Sequence, residues 1–140
     1  MVDKLTTLLK LYSKKSIGYQ NFEELELWKK VRLMKIELFD LVKQFPSEEK
    51  FRLIDQIIRS SRSVNTQIDE GHGRRTFPDR IRFCVIARGS LSETLNHLID
   101  AFDCKYINEQ QLQYFRSKIT EVEKLLNGYI SWLEKQISGQ

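Results

Sequence analysis

The stretch whose reading decides the fold is Gln56-Ile57-Ile58-Arg59-Ser60-Ser61-Arg62-Ser63-Val64-Asn65-Thr66-Gln67-Ile68-Asp69-Glu70-Gly71-His72-Gly73-Arg74-Arg75. It continues as Thr76-Phe77-Pro78-Asp79-Arg80-Ile81-Arg82-Phe83-Cys84-Val85-Ile86-Ala87-Arg88-Gly89-Ser90. Apolar residues recur at three- and four-residue spacing on both sides of the break, the period of a helix with one buried face. The first pattern stops at Asp69-Glu70-Gly71, where Gly71 is expected as the residue just past the helix end. A basic turn follows. Thr76 then suits an N-cap, with Pro78 in the permissive first turn and Asp79 three residues after the cap.

Working outward, the helix before the turn is expected to start after Ser47, a good N-cap followed by Glu48 and Glu49. Its buried stripe reads Phe51, Ile54, Ile57, Ile58, Ser61, Val64, Asn65 and Ile68. Pro46 closes an earlier helix expected over Phe22–Phe45, with Glu23, Glu24 and Glu26 at its dipole-favoured start. That helix is apolar around much of its girth: Leu25, Leu33 and Ile36 lie outside the arc of Leu27, Val31, Met34 and Leu38. A helix of this kind must touch more than one core. The helix after the turn carries Cys84, Ala87, Leu91, Leu95, Leu98 and Phe102 on one stripe. Asn108 and Gln111 form a capping-box pair ahead of a last helix. Its Leu112, Phe115, Ile119, Val122, Leu126, Tyr129, Leu133 and Ile137 alternate spacings of three and four.

Four long helices with short connections predict an all-α, antiparallel, up-down-up-down four-helix bundle over residues 21–140. Residues 1–20 form a separate appendage: Leu5, Leu8, Leu9 and Tyr12 share one helical face, with Lys10 and Lys14 opposite. It either docks on the bundle or binds a partner.

The bulk composition is consistent with this. A chain of 140 residues, 41% hydrophobic and 30% charged, suits one folded domain and is too apolar for disorder. Six glycines and two prolines leave room for few loops. No apolar run is long enough to span a membrane, and the N-terminus lacks the apolar core of a secretory signal. Cys84 and Cys104 would lie about 30 Å apart on one helix, too far to pair. Two free thiols fit a cytoplasmic location. Residues 1–22 hold Lys4, Lys10, Lys14 and Lys15 against Asp3, a net +3, which leaves +1 of the chain's +4 for the rest. Any affinity for nucleic acid must therefore come from local clusters.

Two such constellations stand out. Arg88 falls between the apolar stripes of its helix, where a guanidinium must find acceptors. Asp69 and Glu70 are the expected carboxylates, and Gly89 and Ser90 remove bulk so that a neighbouring backbone approaches. With Gly71 these residues form an expected structural network. A catalytic reading of Arg88 has no nucleophile or base to accompany it. The second constellation is the turn at Gly71–Arg75. Arg74, Arg75, Arg80 and Arg82, joined by Lys14 and Lys15, are candidates for gripping phosphate at a helix start. The alternative is a solvated turn whose arginines pair with acids on the next helix. Little exposed aromatic surface is expected here, so base stacking is not. Trp28, Phe39, Phe102, Phe115 and Trp132 suit core or interface packing.

Catalysis and cofactors find no support. Glu93 and His97 occur once, where a di-iron bundle needs the motif paired. Zinc-ligand spacing, phosphate-binding glycine loops and nucleophile triads are missing. No enzyme activity, no metal and no cofactor are expected.

Five motifs occur in a familiar order: Phe22-Glu23-Glu24-Leu25-Glu26-Leu27-Trp28, Phe45-Pro46-Ser47-Glu48-Glu49, Gln56 to Val64, Ile68-Asp69-Glu70-Gly71-His72-Gly73-Arg74, and Ala87-Arg88-Gly89-Ser90-Leu91-Ser92-Glu93. They resemble the four-helix-bundle proteins encoded in intervening sequences of bacterial large-subunit ribosomal RNA genes. That family is related to the accessory variability determinant of diversity-generating retroelements. The resemblance covers about residues 22–137. It implies a left-handed bundle, a homopentamer around a central channel, and no enzymatic activity. For the retroelement relatives it implies binding of RNA or DNA and of a reverse transcriptase through basic surface. Gln67 departs from the family's usual Asn, and the Lys-rich N-terminal segment has no counterpart in it.

Overall fold

The computed structural model describes residues 21–22 and 25–139, and every regular element among them is helical. The N-terminal appendage, and Glu23 and Glu24, lie outside the described residues. Helix α1 spans Glu26–Leu41, α2 Leu53–His72, α3 Phe77–Asp103 and α4 Glu109–Ser138. Helix α1 packs on α2 and α4, and α3 packs on the same two, which closes a four-helix bundle. The centre is filled by Val31, Met34 and Leu38 of α1, Ile57, Val64 and Ile68 of α2, Leu91 and Leu98 of α3, and Val122, Leu126 and Leu133 of α4.

The caps of α3 and α4 form as expected. Thr76 accepts from the Asp79 amide, and Asn108 and Gln111 close a reciprocal capping box. The α1–α2 corner differs. Helix α1 starts at Glu26 rather than Phe22, and its last turn tightens to a 3-10 turn over Val42–Gln44. Phe45 is extended, as a residue before proline must be. Ser47 does not cap α2: it opens a 3-10 turn, Ser47–Glu49. The Glu49 carboxylate caps α2 instead, accepting from the Leu53 amide at 3.1 Å. The helix therefore starts later than expected, and Phe51 is left 84% exposed rather than on the buried stripe.

This corner is tied to the α3–α4 connection. Gln44 donates to the Tyr106 carbonyl, and Gln111 donates to the Gln44 side chain. Tyr106 stands just past Lys105, which takes a left-handed backbone (φ 65°). The Tyr106 amide reaches the Ala101 carbonyl and the Lys105 amide the Phe102 carbonyl, both at 2.9 Å. That is the Schellman ending, built here on a lysine in place of the usual glycine.

Register between α2 and α3 is held by small groups. Ser60 meets Thr94 at 2.8 Å in the core, and Ser63 meets Ser90 at 2.9 Å. Gly71 is inside α2, not past its end; Gly73 is the C-cap. A Cβ on Gly71 would sit 2.9 Å from the Phe83 Cβ and 3.3 Å from the Arg80 carbonyl oxygen. Its missing side chain is what lets α3 come this close.

The expected Arg88 network is not formed. Arg88 donates to the Asn127 side chain of α4 at 2.9 Å. Asp69 and Glu70 are exposed, and Glu70 pairs with Arg74 instead. The contacts from Gly71 to Phe83 and from Ser63 to Ser90 explain why. They place residue 88 beside the middle of α2, about a turn away from its acidic end, with its side chain turned to α4. Gly89 is exposed with nothing within 4 Å of a Cβ, so no backbone approaches there. Of the expected small pair, only Ser90 makes a helix–helix contact.

Candidate nucleic-acid interface

The end of the bundle at the α2–α3 turn gathers four arginines. Arg74 and Arg75 follow the Gly73 cap, and Arg80 and Arg82 stand in the first two turns of α3. Two of the four are neutralised locally. Arg74 pairs with Glu70 at 3.4 Å, and Arg82 with Asp79 at 3.2 Å. Both guanidiniums also lie on the Phe83 ring, 4.6 and 4.9 Å from its centroid. The alternative pairing of the turn arginines with acids of the next helix is not seen among the described residues: Arg74 pairs back to α2, and Arg82 pairs within α3.

Arg80 and Arg75 are different. Arg80 Nε donates to the Arg74 carbonyl at 2.8 Å, which fastens the turn to α3. Its guanidinium lies 5.7 Å from the Phe77 centroid. Arg75 is exposed. Among the described residues neither has a carboxylate within ion-pair distance. Lys14 and Lys15 lie outside the described residues.

Aromatic side chains crowd this end, contrary to expectation. Trp132 is 49% exposed. It stacks on Tyr129 with the rings 9° from parallel and 6.1 Å between centroids. Phe77 meets it edge-on at 6.3 Å. Burial pushes the Tyr129 phenol above its usual range; Cys84 adds to that and Arg80 opposes it. The sequence signal was the spacing of three between Tyr129 and Trp132 on α4, but only the fold sets them beside Phe77. Of the other aromatics expected to pack in the core or at an interface, Phe115 is buried, and Trp28, Phe39 and Phe102 are half-buried.

A second cationic strip, not anticipated, runs along α1 and α2. Burial lowers the Lys35 ammonium below its usual range, and the charges of Arg62 and Arg32 lower it further. Arg62 rests 5.3 Å from the Phe39 centroid. None of the three has a carboxylate within ion-pair distance among the described residues.

Among the described residues, groups for metal chemistry do not converge. Among the described residues no three His, Cys, Asp or Glu side chains stand close enough to hold a metal ion. Burial pushes the Cys84 thiol up to about 11, and Cys104 is exposed. A groove of about 790 Å³ lies between α1 and the start of α4. It is lined by Ile36, Glu37, Asp40, Gln44, Tyr114 and Phe115 among others, and Tyr114 donates a hydrogen bond to Glu37 there. No helix among the described residues is long and apolar enough to cross a membrane.

Against known proteins, residues 23–128 match the model of the 23S rRNA-intervening sequence protein family. The chain belongs to that family. A solved structure supports the assignment: a protein of unknown function from the S23 ribosomal protein family of Bacteroides thetaiotaomicron VPI-5482. The two are 27% identical, with a TM-score of 0.69 over 75% of this chain and 95% of that one. No curated protein matches the chain. The matched span contains all four arginines of the turn and all but the last turns of α4, so Trp132 lies just beyond it.

Proposed function

We propose that this family member is a non-catalytic, homopentameric adaptor that binds nucleic acid through the arginine-rich end of its bundle and serves as an accessory to a reverse transcriptase. The observation that carries the reading is that, among the described residues, Arg75 and Arg80 have no acidic partner where Arg74 and Arg82 do. Unpaired guanidiniums at the start of a helix suit phosphate. A single subunit offers a modest charge, since the chain outside residues 1–22 is nearly neutral. Repetition around a ring would multiply it through avidity.

The ring is attributed to α1. Leu33 and Ile36 are 57% and 54% exposed, and they line a shallow groove with Trp28, Lys29 and Arg32. A left-handed up-down-up-down bundle is the topology we assign. In its favour, contact partners descend in number as their mates ascend: Lys30 with Glu121 and Glu37 with Tyr114, Ser60 with Thr94 and Ser63 with Ser90.

The test is binding of a labelled RNA and a labelled DNA across a salt series. Affinity should fall steeply between 50 and 200 mM salt. Arg75→Glu should weaken it for every sequence tested. Unchanged affinity in that variant removes the turn from the binding surface. The same α1 face also suits a scaffold ring that holds only protein; capture of a partner protein that survives nuclease, with no binding of nucleic acid at low salt, would select that reading.

A further inference from the structure

The exposed ring of Trp132 has no role in the core. Its neighbours on α4, Ile130 and Leu133, are buried, whereas half of the indole faces outward. Yet it is not loose. Tyr129 backs one face nearly in parallel, and Phe77 braces it edge-on. Phe77 in turn carries the Arg80 guanidinium over its ring, and Arg80 is fastened to the turn through the Arg74 carbonyl. A large flat apolar ring, pre-set in orientation, loses little conformational freedom when it receives a ligand. Arg80 lies over the Phe77 ring, and Arg75 stands two residues before Phe77 in the chain; among the described residues neither has a carboxylate at ion-pair distance. The ligand that suits this juxtaposition has an aromatic face joined to an anion.

We propose that Trp132, backed by Tyr129 and Phe77, is a stacking platform for an unpaired base, with Arg75 and Arg80 holding the adjoining phosphates, so that the chain prefers single-stranded nucleic acid to duplex. The proposal rests on the nucleic-acid reading above and narrows it to a substrate class. A duplex hides its base faces and offers only phosphate. A single strand offers both, and stacking tolerates any base because each has a π-face. A second copy of this chain, or a protein segment, would be the competing occupants of an apolar ring. The adjacent positive charge, without a carboxylate partner among the described residues, favours the polyanion.

The test uses the full chain and three probes of equal length at 50 mM salt: a single-stranded oligonucleotide, its duplex, and an abasic strand of sugar and phosphate alone. Wild-type protein should bind the single strand more tightly than the other two. Trp132→Ala should weaken single-strand binding about tenfold and leave duplex and abasic binding as they were. Trp132→Phe should restore most of the loss, which guards against a folding defect in the alanine variant. In a Trp28→Phe background, the emission of Trp132 should be quenched by the single strand and not by the abasic one. Equal loss on all three probes, or no loss on any, overturns the platform while the charge-based reading stands. A change in particle mass in Trp132→Ala also overturns it, because the ring is then a contact between copies. If wild-type protein binds none of the probes, the nucleic-acid reading itself falls and takes the platform with it.

Discussion

Along the seam of α2 and α3 the decisive contacts are small. Ser60 meets Thr94, Ser63 meets Ser90, and Gly71 admits Phe83. On the outward side of α1 the side chains are large and apolar, yet Leu33 and Ile36 stay more than half exposed. Hydrophobic size alone therefore does not decide what is buried in this chain. Small groups allow two backbones to approach closely, and each close hydrogen bond accepts one register only. Large groups on α1 have no facing surface among the described residues. The seam specifies the fold, and the α1 face is surplus to it.

The sharpest way to break that contrast is Gly71→Ala. The new Cβ would lie 2.9 Å from the Phe83 Cβ, so α3 must shift. Overpacking of this kind costs about 1–3 kcal/mol, and denaturant unfolding should show it despite alanine's better helix propensity. A smaller loss should follow Thr94→Val. The Thr94 hydroxyl donates to the Ser90 carbonyl at 2.9 Å, so at the 2.8 Å contact it accepts from Ser60. Without it the Ser60 hydroxyl keeps the Ile57 carbonyl at 3.3 Å. Because that acceptor remains, the loss should be about 1 kcal/mol. A loss near that of Gly71→Ala would mean that the hydroxyl pair, rather than close approach, governs the seam.

How far these features could be read beforehand follows from their range. The caps at Thr76 and Asn108 were legible because a cap is written within four residues. The α1–α2 corner was not. Ser47 has the right chemistry for a cap, but Glu49 reaches the Leu53 amide and takes the role. The end of α3 carries no glycine to announce its left-handed residue, since Lys105 occupies it. Arg88 shows the limit of helical phase. Phase places the guanidinium at the edge of a buried stripe, but the choice between an acid on α2 and Asn127 on α4 depends on register, which Gly71 and Ser63 set from afar. The turn that gathers the four arginines was legible as a local run. The platform beside it was not, because Phe77 and Trp132 meet only when α4 returns to that end.

Gly89→Ala is the counterpart of the Gly71 variant. Nothing lies within 4 Å of the added methyl, so the variant should gain about 0.5–1 kcal/mol from helix propensity alone. Opposite signs at two glycines would confirm that close approach, and not the residue type, makes Gly71 necessary. A loss at Gly89 would point to a neighbour that only an assembled particle supplies.

The smallest effect on folding, and the largest on assembly, is expected from Leu33→Glu with Ile36→Glu. Both side chains already face water, so the unfolding free energy should move by less than about 0.5 kcal/mol per site. Their burial between copies would be another matter. A carboxylate taken into an apolar contact without a partner is far more costly than an exposed one. Light scattering should then show the wild-type chain at several times the 16.7 kDa subunit and the double variant at or near the subunit mass. A double variant that keeps the wild-type particle mass would move the interface elsewhere on the bundle. A wild-type monomer at micromolar concentration would leave the exposed apolar face of α1 free for a different protein. Only the first result makes the surplus of α1 and the economy of the seam two halves of one design, with small residues closing the subunit and large ones joining it to its copies.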